Sequence, residues 1–397
     1  MQVRCAALLP DGLTMPARSR FPFAAYVFAC LLGLFALGGY WYGLGDRVRS
    51  EAVQAELAGD TGRAAAMYQK ASGLFFMGRF PCPNHPAKER CAVAERETYL
   101  KLSQYWAEPI ERVEIPFAGQ ASEGRHVVAL VRRPVGVSHP PVVLMWGGVD
   151  ACKEQMTAAC DAFLAQGVAT VAIDNAGTGE SPIRGVQDAE RQFLAVMDWM
   201  QARTDWRADR LGLLGRSFGG YWATKLAHLL PDALAGAVNW GGGVHHMFQP
   251  SWVQASRYPD SYLMELVETR SLMLGAVNDE EYIAFFKRLS LVDQGLLGVL
   301  AIRVLGDQAL VGLLGRGPVA VLHRGVALVV ELLDGLSLVG VLILEHLAHA
   351  GAAGAGDGDG QQQGGDSQRG GALGHGRIRR ALGARRPDNS SPCPPAP

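Results

Sequence analysis

The sequence predicts an α/β protein, a mostly parallel sheet with helices on both faces. Three observations carry that reading. Short, predominantly apolar runs at residues 142–146 (VVLMW), 168–173 (VATVAI) and 211–214 (LGLL) have the length and composition of strands buried on both sides. Between and after them lie helical stretches, one extending to about residue 166 and the others at 188–203 and 218–230. The chain is 49% apolar and 19% charged, with 37 basic and 38 acidic side chains. That balance excludes a disordered chain, a collagen-like repeat and a nucleic-acid binder relying on a basic excess.

Residues 1–20 form an N-terminal flank. Residues 21–45 carry no charge and, as one helix, would span about 37 Å, enough for a hydrocarbon core of about 30 Å. Arg18 and Arg20 precede the run, and Tyr40, Trp41 and Tyr42 stand near its far end, as an aromatic belt would. The expectation is a membrane anchor. The rivals are a signal cleaved near Ala36-Leu37-Gly38, giving a secreted or periplasmic protein, and a buried helix. Residues 46–107 read as a helical cap segment, with apolar residues at three- and four-residue spacings broken at Gly59-Asp60. Cys82 and Cys91 bracket a Pro-rich loop and are open to either a disulfide or two free thiols; the seven cysteines form no CxxC pair.

The core is expected over 108–297. It opens with an antiparallel pair at 113–117 and 126–132, joined by a Gly-containing loop. The strongest chemical signal is Gly215-Arg216-Ser217-Phe218-Gly219-Gly220, a G-x-S-x-G between a strand and a helix. A sharp strand-to-helix turn exposes a serine Oγ at the edge of the sheet, and flanking glycines remove side chains that would collide across it. The helix start then aims backbone N–H groups, that of Phe218 included, at a developing oxyanion. Gly147-Gly148-Val149-Asp150 closes the first parallel strand, and the N–H of Val149 is the second candidate donor. Gly177 and Gly179 follow the next strand, but no third glycine or P-loop lysine accompanies them, which excludes both phosphate-binding motifs. His245 and His246 follow three glycines and point to different faces of whatever carries them.

Together the segments VVLMWGGVDACKE, IDNAGTGES and LGRSFGGY resemble the α/β-hydrolases related to FrsA-type esterases and the 2,6-dihydroxypseudooxynicotine hydrolase type. The likeness spans roughly 50–290. It implies an α/β-hydrolase fold with a helical cap before the sheet. It also implies a serine hydrolase that cleaves an ester, or a C–C bond beside a carbonyl. Ser217 would be the nucleophile, and Phe218 with Val149 the oxyanion hole. The apolar run ending at Gly45 is not a feature that the resemblance implies.

A triad in this fold continues with an acid and then a histidine. Asp307, after the run 299–305, and His346, after 337–345, fit that order, with His349 next in line. The composition changes abruptly there. The last 110 residues hold no Phe, Tyr, Trp, Met, Lys or Thr, yet carry 21 of the 49 glycines. We expect 298–350 to be a degenerate or out-of-frame continuation of the core, and 351–397 a disordered low-complexity tail. The function expected is acyl-enzyme hydrolysis of a small acyl or carbonyl compound, with no metal, organic cofactor or nucleic acid, and with a homodimer left open. The alternative is a catalytically silent, membrane-tethered binding protein of hydrolase form, since a serine without its base is a poor nucleophile.

Overall fold

The computed structural model describes residues 23–257, 265–297, 319–323 and 326–330. Three helices come first: α1 (Phe23–Leu57), α2 (Thr61–Arg79) and α3 (Pro86–Ser103). The break between α1 and α2 has a local cause. Gly59 sits at φ 78°, open to a residue without Cβ, and the Asp60 side chain accepts from the Arg63 N–H to start α2. The helices pack through small residues. Ala52, Ala55 and Ala64 are buried with Tyr68, and a Cβ on Gly45 would lie 2.7 Å from the Phe75 ring.

The expected membrane span is not supported. Helix α1 continues past residue 45 to Leu57 and, from Gly38 onward, lies on α2 and α3. The Cys91 thiol donates to the Gly38 carbonyl at 3.5 Å, and a Cβ on Gly38 would meet Ala87 at 3.2 Å. Among the described residues no helix is long and apolar enough to cross a membrane. Cys82 and Cys91 are buried free thiols, so the disulfide alternative is not realised.

The sheet follows, with strands β1 (Glu111–Pro116), β2 (His126–Arg132), β3 (Pro141–Trp146), β4 (Ala169–Ile173), β5 (Arg207–Arg216), β6 (Leu234–Trp240), β7 (Val319–His323) and β8 (Val326–Val330). Their spatial order is β1-β2-β4-β3-β5-β6-β7-β8. The β1–β2 hairpin is antiparallel, as its loop predicts, and β4, β3, β5 and β6 run parallel. Strand β6 carries the sequence LAGAVNW, whose small residues conceal it from a search for bulky apolar runs. Strands β7 and β8 form an antiparallel hairpin, and β7 runs against β6. The strands expected at 299–305 and 337–345 lie outside the described residues, as does 351–397.

Helices α4 (Thr157–Leu164), α5 (Glu190–Gln201) and α6 (Gly219–Leu229) cover the parallel strands, and α7 (Pro250–Ala255), α8 (Leu266–Leu274) and α9 (Asp279–Arg288) follow β6. The two-residue period of β3 divides the core. Val142, Leu144 and Trp146 belong to the cluster with α5 and α6, whereas Val143 and Met145 pack with α4 and with Tyr99 of α3. Phe193 lies between Trp146 and Trp222, with ring centroids 4.6 and 5.5 Å away. Phe193→Ala should therefore cost about 3–5 kcal/mol of unfolding free energy, measured by urea titration, with the fold retained.

Candidate active site

Ser217 stands between β5 and α6, exposed, at φ 55°. A non-glycine residue in that region is strained, and the surroundings hold it there. The Ser217 N–H donates to the Trp240 carbonyl at 2.7 Å, which ties the turn to the end of β6. The neighbouring glycines are sterically required. A Cβ on Gly215 would lie 2.1 Å from the Gly219 carbonyl, one on Gly219 2.2 Å from the Gly147 carbonyl, and one on Gly220 2.0 Å from Asn239 Oδ1. Trp146 Nε1 donates to the Gly219 carbonyl at 2.8 Å and fastens β3 to the start of α6.

The turn after β3 meets the serine directly. A Cβ on Gly148 would be 2.8 Å from Ser217 Cβ and 3.0 Å from its Oγ. The structure thus brings together Ser217, Phe218 and the Gly147–Asp150 turn that carries Val149, as the strand ends predict. Phe218 is buried, its ring edge-on to Phe248 at 6.0 Å and to Phe286 at 6.3 Å. Asp307, His346 and His349 lie outside the described residues. His245 and His246 diverge as expected: His246 is exposed, while His245 Nδ1 is 2.7 Å from Ser290 Oγ and 3.1 Å from Gln249 Nε2.

A buried ion network next to the Gly147–Asp150 turn was not anticipated from the sequence. The Lys153 side chain is 1% exposed; its ammonium donates to Asp174 Oδ2 at 2.8 Å and to Glu180 at 2.7 Å, and lies 3.4 Å from Glu154. The Lys153 N–H donates to the other Asp174 oxygen, and the Glu180 N–H adds a further bond. Burial pushes the Asp174 and Glu180 carboxyls up, but the Lys153 ammonium and the hydrogen bonds outweigh it and hold both below the usual carboxylate range. Donor atoms of Cys152, Glu154 and Asp174 lie within 4.8 Å of one another, in the manner of a metal site. The cation these carboxylates hold is Lys153, and burial pushes the Cys152 thiol up, which keeps it neutral. The only trace in the sequence is the pair of polar segments ACKE, which follows the four-residue turn after β3, and DNAGTGES, directly after β4.

Both carboxyls bind protons less readily in the folded protein than in the unfolded chain. Their contribution is complete above about pH 4 and is lost as the pH falls below it. Lys153→Met leaves Asp174 charged and uncompensated, so it should cost about 3–5 kcal/mol at pH 7. In denaturant titrations the gap to the wild type should narrow as the pH drops below about 4, where the carboxyls protonate.

The model of the FrsA-like esterases matches residues 39–311. The 2,6-dihydropseudooxynicotine hydrolase of Paenarthrobacter nicotinovorans is 31% identical over 212 residues, 51% of this chain and 54% of that protein. Esterase FrsA of Yersinia pestis (strain Pestoides F) is 26% identical over 249 residues, 60% of this chain and 57% of the esterase. The chain thus spans little more than half the length of these relatives. The crystal structure of the 2,6-dihydroxy-pseudo-oxynicotine hydrolase superposes with a TM-score of 0.55 at 24% identity, covering 65% of this chain and 69% of that one. AbyA5 gives 0.50 at 23% identity, over 63% of this chain and 68% of its own. These two likenesses establish the fold, that of the α/β-hydrolases. With more than half of its length matched by the family's model, the chain belongs to the FrsA-like esterase family.

Proposed function

We propose that the protein is a serine hydrolase acting on a small acyl or carbonyl compound through an acyl-enzyme. The observation that carries this reading is the exposed Ser217 at φ 55°, with the Gly148 turn packed against its side chain. In this mechanism Ser217 Oγ attacks the carbonyl carbon while a histidine takes its proton. The N–H groups of Val149 and Phe218 hold the oxyanion. Collapse expels an alcohol from an ester, or a carbanion from a C–C substrate, and the imidazolium protonates the departing atom. Water activated by the same histidine then releases the acid and frees Ser217. We assign the acid and base roles to Asp307 and His346, with His349 as the alternative base, on their order in the chain. One relative is named an esterase and the other a hydrolase of 2,6-dihydropseudooxynicotine, which supports a hydrolytic reaction.

Covalent labelling with a fluorophosphonate probe, alongside turnover of a phenyl ester, tests the proposal. The wild-type chain should label at Ser217, and Ser217→Ala should lose labelling and at least about 10³-fold in turnover. A folded wild-type protein that neither labels nor turns over the ester overturns it in favour of a silent binding protein. Gly148→Ala places a methyl group against Ser217 and should slow labelling by about 10²-fold while the unfolding free energy changes far less.

A further inference from the structure

The Gly147–Asp150 turn is held from two sides, and only one of them belongs to the sheet. On the core side Lys153 locks the chain to Asp174 at the end of β4. On the other side stands Arg79, the last residue of α2, with its side chain 3% exposed. Its guanidinium divides its donors. Nε donates to Glu95 of α3 at 2.5 Å, a bond within the helical layer. Nη1 donates to the Asp150 carbonyl at 3.2 Å and Nη2 to Gln155 Oε1 at 2.6 Å, both across the seam to the core. The same Gln155 Oε1 accepts the Cys152 N–H at 2.9 Å, and Gln155 Nε2 donates to Glu95 at 2.5 Å.

We propose that Arg79 is a positioning residue that couples the seating of the helical layer to the geometry of the oxyanion turn. The proposal rests on the serine hydrolase reading above for its catalytic meaning, though not for the coupling itself. An ion pair serving only to brace α2 against α3 would need Nε and Glu95 alone. The fork spends its remaining donors on the backbone one residue beyond Val149 and on the glutamine that fixes Cys152. A planar group with donors in several fixed directions can make these contacts together, which a lysine cannot. The seam beside the clamp is not filled by packing. A cavity of about 570 Å³ opens there, lined by Ser72, Phe76, Glu95, Trp106, Glu154 and Gln155. Tyr99 of α3 packs on β3 and α4 farther along the seam, and the Arg79 fork is the direct hydrogen-bonded link from α2 to the turn. A displaced layer would carry the Asp150 carbonyl with it and misaim the adjacent Val149 N–H, and hydrogen-bonded catalysis falls steeply with such displacement.

The test uses the full chain and two variants. Arg79→Lys keeps the charge opposite Glu95 but not the fork. Gln155→Met leaves the Arg79–Glu95 pair intact and removes the acceptor of the Cys152 N–H. Amide hydrogen exchange is read across 144–156 and across α2 and α3, together with the rate of Ser217 labelling by a fluorophosphonate and with kcat and KM for a phenyl ester. Exchange at 147–152 should rise about tenfold, the loss of one charge-assisted hydrogen bond, while α2, α3 and the β3 strand keep their protection. Labelling and kcat should fall by a similar factor with KM retained. Unchanged exchange at 147–152 in either folded variant overturns the proposal, and so does a rise spread evenly over α2 and α3. Should Arg79→Lys fail to fold, Gln155→Met decides on exchange at 147–150 and on Ser217 labelling, because its effect on the Cys152 N–H is direct; unchanged exchange at 147–150 then overturns the proposal. A local rise in exchange in a protein whose wild type does not label leaves the coupling standing and defeats the hydrolase reading instead.

Discussion

Two turns at the ends of β3 and β5 approach so closely that only glycine fits between them, and the rest of the site is arranged around that approach. Gly219 lies against the Gly147 carbonyl and Gly148 against the Ser217 side chain. The contact sets where the serine hydroxyl emerges, beside the turn that carries Val149. The parallel pairing of β3 with β5, in register from Val143↔Gly212 to Trp146↔Gly215, brings the two turns to the same edge of the sheet. Trp146 then closes the joint from beneath through its indole N–H.

A joint of this kind has little apolar surface of its own, and it is steadied by charges taken out of water. Lys153 and Asp174 lie on the core side, Arg79 and Glu95 on the side of the helical layer. Buried pairs of this sort add little net stability, because desolvation consumes most of the Coulomb gain. Their effect is to make one geometry far better than its neighbours, since moving either partner strands a charge. The balance shows in the opposed behaviour of the acids. At Glu95 burial prevails over Arg79 and pushes the carboxyl up, whereas at Asp174 the ammonium prevails and holds it down.

Much of this was legible in the chain. The buried runs of β3, β4 and β5 fall where their composition places them, α5 occupies Glu190–Gln201 within the stretch 188–203, and the helix break lies at Gly59-Asp60. The elbow announces itself because its requirement is local: glycine at set distances from a serine, after a strand and before a helix. Strand β6 escaped notice because LAGAVNW carries small residues where a search for bulky runs finds nothing. The apolar stretch at 21–45 read as a span by its lack of charge. Lack of charge equally suits a helix whose later turns, from Gly38 onward, lie on α2 and α3, and one-dimensional hydropathy does not separate the two.

The sequence alone determined the class of fold, the strand–turn–helix setting of Ser217 and the family to which the motifs belong, because each depends on residues adjacent in the chain. The tertiary structure decided the strand order, the meeting of Gly148 with Ser217, and the burial of Lys153 and Arg79. Those depend on residues that arrive from distant segments. A lysine in the string ACKE looks like a surface residue until Asp174 and Glu180, both more than twenty positions away, fold onto it. Whether a charge ends up in water or in the core is fixed by the partners that reach it through space, and no local pattern in the chain records them.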